Sequence, residues 1–142
     1  MDYEYSVIGS ILCNADVLAA TAASSEFLCN GYTFSLRKFN DQLSVRLTGY
    51  TSGGASNVPG TSDGSDRIQA ACKNIPEADV TEVCKLLSEK FACLVSMRKG
   101  YEVYGNANVF NGGSDYEVIE EKWFSVEFDN GRQKMTQTKD IL

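Results

Sequence analysis

The chain has 142 residues, 43% hydrophobic and 23% charged, which is the balance of an ordinary globular domain; wholesale disorder is excluded and a single domain over residues 1–142 is expected. Nineteen acids against thirteen bases leave a formal charge of −6, spread evenly: residues 1–64 hold six acids and three bases, residues 65–142 thirteen and ten. Bases rarely exceed pairs such as Arg37-Lys38 and Arg98-Lys99, so no nucleic-acid partner is expected, because holding a duplex takes clustered cations that displace its counterions.

The opening MDYEYSVIGSILCNA carries two acids ahead of its apolar run, where a secretory signal needs basic residues. No apolar stretch approaches the ~18–20 residues of a membrane span, and no membrane partner is expected. Residues 3–12 read as a strand, with Tyr5, Val7 and Ile11 at alternate positions. Asn14 or Asp16 caps a following Ala-rich helix, predicted over roughly 15–28 and ended by Gly31. The clearest β signal comes next. Tyr32, Phe34 and Leu36, then Leu43, Val45 and Leu47, alternate with polar residues on either side of Asn40-Asp41, which predicts an antiparallel hairpin with one buried face.

Residues 49–65 are rich in glycine and serine and read as a long loop. Ile68, Ala71, Cys72 and Ile75 fall at helical spacing; Pro76 interrupts them, and Asn74-x-x-Glu77 has the form of a capping box. Val80, Val83, Cys84, Leu87 and Phe91 then form one apolar stripe opposite Glu82, Lys85, Glu89 and Lys90, the best-marked helix of the chain. Strands are predicted at 92–98 and 101–110 around a Lys99-Gly100 turn, and again over about 118–128 after a loop at Asn111–Ser114. A turn at Asp129–Arg132 leads into a polar tail that frays or pairs as an edge. The expected fold is α+β in two layers: a mostly antiparallel sheet of about five to six strands packed with two to three helices.

The catalytic inventory is thin. There is no histidine, which removes the Ser-His and Cys-His pairings and the commonest transition-metal ligand; no cysteines stand at C-x-x-C spacing. No enzyme activity, cofactor or metal is expected. The five cysteines, odd in number and without a signal peptide, read as reduced, mostly buried thiols of a cytoplasmic protein, with Cys72 and Cys84 on apolar helical stripes. The loop 51–66 faces the start of a helix and has the makings of an anion cradle, but lacks the Gly-Lys-Ser/Thr ending of a phosphate-binding loop; Asp63 and Asp66 are not at EF-hand spacing.

Two surfaces remain. Asp115, Tyr116, Glu117, Glu120, Glu121 and Trp123 form an acidic-aromatic segment of the kind that binds another, basic protein. Arg37, Arg46, Arg98, Asn106, Asn108 and Arg132 supply guanidinium and amide groups suited to a small, nucleotide-like anion, at a site shared between protomers of a homodimer. The leading expectation is a non-enzymatic protein-binding module of the inhibitor, immunity or anti-defence type from a bacterium or phage; the alternative is a small-ligand-binding or sequestering protein.

Overall fold

Alternation sets the strands. The computed structural model describes residues 2–50, 64–106 and 116–141. Strand β1 (Asp2–Leu12) points Val7 and Ile11 inward, and its last turn leads into helix α1 (Ala15–Ala20), where Asn14 caps the helix by accepting the Val17 N–H at 2.9 Å. The predicted long helix stops at Ala20. Residues Ser24–Cys29 instead form β2, which pairs with β3 (Tyr32–Phe39) through a turn at Asn30 and Gly31, both at positive φ. Gly31 therefore serves a hairpin and does not terminate a helix. The tertiary reason is the ring of Phe27, stacked on that of Phe34 at 5.3 Å, a contact that a six-residue Ala segment lacks the local stability to oppose. The Asn30 amide also reaches Glu82 Oε2 at 2.5 Å, tying this hairpin to the long helix described next.

Strand β4 (Gln42–Tyr50) completes the predicted hairpin about Asn40 and takes in Gly49 and Tyr50, which the glycine-rich composition assigns to a loop. Helix α2 begins at Gly64 and runs to Asn74; residues 51–63 lie outside the described residues. Helix α3 (Glu77–Phe91) buries Val80, Val83, Cys84 and Leu87 as its stripe predicts. No capping box forms at its start. Its N-cap is Pro76, without a side-chain cap, because the proline cannot extend α2 and the new helix enters two residues after Asn74.

The second half holds three long strands, β5 (Leu94–Asn106), β6 (Tyr116–Asp129) and β7 (Arg132–Ile141). The Lys99-Gly100 turn is absent: β5 passes straight through Gly100, which pairs with Trp123 of β6. The polar tail is a full edge strand. Among the described residues the sheet thus has seven strands rather than five or six, all antiparallel, in the order β2-β3-β4-β1-β5-β6-β7. Together with three helices it makes an α+β fold, and among the described residues no helix is long and apolar enough to cross a membrane.

The core lies between the helices and one face of the sheet. Phe34, Leu43, Val45, Leu47, Val95, Met97 and Val126 meet Ala71, Ile75, Val80, Val83 and Leu87 there. One buried polar residue, Ser88, locks a corner of it: its hydroxyl donates to the Lys85 carbonyl at 2.7 Å and accepts the Gly131 N–H at 2.9 Å, pinning the β6–β7 turn onto α3.

All five cysteines are free. Cys13, Cys72 and Cys84 are buried, while Cys29 and Cys93 are partly exposed. Burial pushes the Cys72 thiol up to about 11 and the Cys84 thiol up to about 12, and Cys84 donates its S–H to the Val95 carbonyl at 3.2 Å. Since the thiolate is the nucleophile, these thiols are shielded chemically as well as sterically. A thiol reagent applied at neutral pH should therefore titrate two cysteines from the native protein and all five after unfolding; a total of three or fewer would mean a disulfide.

Candidate functional site

All three helices sit on one side of the sheet, and the side chains of alternate strand residues project from the other. Cross-strand register arranges them in rows. One row runs Arg37, Ser44, Ser10, Ser96, Glu127 across β3, β4, β1, β5 and β6. The next runs Ser35, Arg46, Ile8, Arg98, Ser125 over the same strands. Between β3 and β5 these two rows hold three arginines, four serines and an isoleucine, with no carboxylate. The small serines leave shallow troughs. One, of about 340 Å³, lies over Ser10, Ser96 and Ser125; the other, of about 460 Å³, is bordered by Arg37, Arg46 and Phe39.

Three of the hydroxyls on this face are committed as donors to the backbone. Ser35 Oγ donates to the Arg46 carbonyl at 3.5 Å, Ser44 Oγ to the Arg37 carbonyl at 3.4 Å, and Thr48 Oγ1 to the Thr33 carbonyl at 3.0 Å. The charged donors that this face offers to an outside group are its guanidinium N–H groups. Arg37 and Arg46 are diagonal neighbours, roughly 7–8 Å apart at Cα, and Arg46 and Arg98 stand two strands, about 10 Å, apart in one row.

Arg98 is held on a pedestal. Its guanidinium carbon lies 4.1 Å from the centroid of Trp123, and the indole N–H donates to Glu121 Oε2 at 3.3 Å. Trp123 is only 6% exposed, yet it belongs to the face opposite the helices. It can lie flat because Gly100 is its cross-strand partner: a Cβ there would come within 1.9 Å of the Lys122 carbonyl oxygen and 2.8 Å of Trp123 Cε3. The glycine read as a turn is a seat for the indole ring.

Beyond Trp123 a third row carries Glu4, Glu102 and Glu121, directly opposite one another on β1, β5 and β6. Like charges so placed repel, and the Tyr104 hydroxyl donates to Glu102 in partial compensation. That hydrogen bond and the surrounding carboxylates push the Tyr104 phenol up to about 12. The open face is therefore acidic at one end and arginine-rich in its middle, the two zones about 13 Å apart along the strands, with Glu26 on β2 and Glu127 on β6 flanking the arginine rows.

The acidic-aromatic segment is divided by this arrangement. Glu121 and Trp123 share the open face, whereas Glu120 points to the helix side, where its Oε1 accepts the Tyr101 hydroxyl at 3.1 Å. Tyr116 and Glu117 begin β6, and Asp115 lies outside the described residues. Of the second set, Arg37, Arg46 and Arg98 do come together on the open face. Arg132 starts β7 opposite Asp129 at the hairpin end, Asn106 ends β5 opposite Tyr116, and Asn108 lies outside the described residues. Glu4 and Glu102 carry no local signal beyond the alternation that assigns each to the polar face, because their neighbours in space are distant in the chain, Glu4 opposite Glu102 and Glu102 opposite Glu121.

Among the described residues no group of His, Cys, Asp or Glu could hold a metal ion. The class these features define is a two-layer α+β protein with one bare, patterned sheet face. No family model, no curated protein and no solved structure matches the chain.

Proposed function

We propose that the chain is a non-enzymatic protein-binding module that docks its partner on the open face of the sheet, working by occupancy as inhibitor and immunity proteins do. The observation that carries this reading is the charge pattern of that face, with Glu4, Glu102 and Glu121 in one row and Arg37, Arg46 and Arg98 clustered in the middle between Glu26 and Glu127. Two signs at fixed spacing suit a protein surface bearing the opposite pattern, basic side chains over the glutamates and carboxylates over the arginines. A polyanion would meet the glutamate row unfavourably. The size also fits. Seven strands at about 4.8 Å span about 30 Å, and eight residues per strand about 27 Å, giving roughly the 800 Å² per partner of a standard interface. Arg98, fixed on Trp123, is pre-ordered for a bidentate carboxylate contact and loses little side-chain freedom on binding.

The test is charge reversal at both ends of the face, using a partner captured from the source cell. Arg37→Glu with Arg46→Glu, and separately Glu102→Lys with Glu121→Lys, should each weaken binding at least about tenfold, mainly through a slower and less salt-sensitive association, with the melting temperature nearly unchanged. A partner whose affinity survives both pairs of reversals does not bind this face, and the reading fails.

A further inference from the structure

Where α2 gives way to α3, the helices leave one corner of their own side of the sheet uncovered. Tyr5 on β1, Tyr101 on β5 and Lys122 on β6 stand there in one cross-strand row, with Lys99 and Phe124 in the row beneath. Lys73 and Glu77 from the helices form the facing wall of a cleft of about 200 Å³. Its chemistry is of two kinds. The rings of Tyr3, Tyr5 and Tyr101 lie with centroids 5.4–6.2 Å apart, and Tyr3, half exposed, extends this aromatic surface to the rim. Lys73, Lys99 and Lys122 border it, with the carboxylate of Glu77 in the facing wall and that of Glu120 on the Tyr101 hydroxyl; Lys122 has a partner of its own.

Lys99 is the informative one. It is partly buried, and its Nζ donates to the Ile75 carbonyl at 2.6 Å, which anchors the ammonium beside the cleft and leaves two N–H donors over. Lys73 Nζ lies 5.8 Å from the Tyr5 ring centroid. Among the described residues neither Lys73 nor Lys99 has a carboxylate partner. A partly desolvated ammonium answered only by a carbonyl, beside a ring surface open to the outside, gains from an anion that brings its own apolar body.

We infer that this cleft binds a small aromatic anion, a single ring carrying a phosphate or a carboxylate, with the ring against Tyr5, Tyr101 and Phe124 and the acid group between Lys73 and Lys99. The volume sets the size, since it falls below the ~300 Å³ at which drug-sized sites begin. The cleft lies across the sheet from the open face and is independent of what binds there.

Titrations of the whole protein followed by amide NMR test it, with phenyl phosphate and phenylacetate as the two acid sources and phenol and inorganic phosphate as the separated halves. At least one aromatic acid should shift the resonances of Tyr5, Cys72, Lys99 and Tyr101 saturably, and each half alone should bind at least about tenfold more weakly. Lys73→Gln, at an exposed position, and Lys99→Gln, which keeps an N–H donor for the Ile75 carbonyl, should each lower the affinity about tenfold as a charge-assisted contact is lost. The inference is overturned if neither acid moves those resonances at millimolar concentration, or if the affinity is unchanged in both lysine variants.

Discussion

Replacing Phe34 with alanine is expected to lower the unfolding free energy by about 3–5 kcal/mol, and Leu87→Ala by about 2–5 kcal/mol, each measured by urea denaturation. The two residues hold opposite sides of one core. Phe34 is fully buried in the middle of β3 and stacks on Phe27 of β2, so its removal opens a cavity and also takes away the contact that keeps the edge strand from reverting to coil. Leu87 projects from α3 into the same core. For a domain whose total stability is typically about 5–15 kcal/mol, either loss is large, and the Phe34 variant should unfold cooperatively at a much lower denaturant concentration. Losses below about 1 kcal/mol at both positions would mean that the helix-bearing face of the sheet has been assigned to the wrong side.

Gly100→Ala is expected to be nearly as damaging, although it adds only one methyl group. The added carbon meets a backbone carbonyl and the indole of Trp123, neither of which yields without shifting β6 against β5. Overpacking of this kind costs about 1–3 kcal/mol where side chains can relax, and the cost should lie at or above the upper end here because the nearest atom is main chain. Trp123 is the one tryptophan of the chain, so its fluorescence reports directly on the site. The Gly100→Ala variant should show red-shifted emission, as the ring is lifted from its seat into water. Arg98→Ala should shift the emission likewise while lowering stability much less, because it uncovers the ring without displacing it. If Gly100→Ala keeps both the wild-type emission and the wild-type melting temperature, Trp123 does not lie over Gly100 and the ordered position of Arg98 has no support.

Several elements were decided locally and were legible as such. The hairpin of β3 and β4 combines a strict two-residue alternation with a turn at Asn40, and the stripe from Val80 to Leu87 repeats at helical spacing over two turns. Asn14 capped its helix and Asn130-Gly131 turned its hairpin, because caps and tight turns are set by residues a few positions apart. Where local signals were weak or shared, neighbours distant in sequence decided. Ala15–Leu28 is alanine-rich, but Thr21, Ser24, Ser25 and Phe27 weaken the helix propensity of its second half, and pairing of Phe27 with Phe34 claimed that half for the sheet. Gly100 next to a lysine resembles a turn until the indole on the adjoining strand is placed.

The candidate site lies almost wholly in that second category. Alternation alone put Arg37, Arg46, Arg98, Glu4 and Glu102 on a polar side of their strands, and the absence of histidine and of C-x-x-C spacing narrows the chemistry open to the chain. Which of those residues stand together was a matter of strand order and register. The strand β1 is inserted between β4 and β5, and this brings Arg46 and Arg98 into one row and Glu4, Glu102 and Glu121 into another. A slip of one residue at either junction would turn every one of them to the other face, and register of that kind is held by the buried side of the sheet, through Val7, Val45 and Met97 against the helices. The polar pattern was written along the chain; its assembly into a face depended on packing on the opposite side.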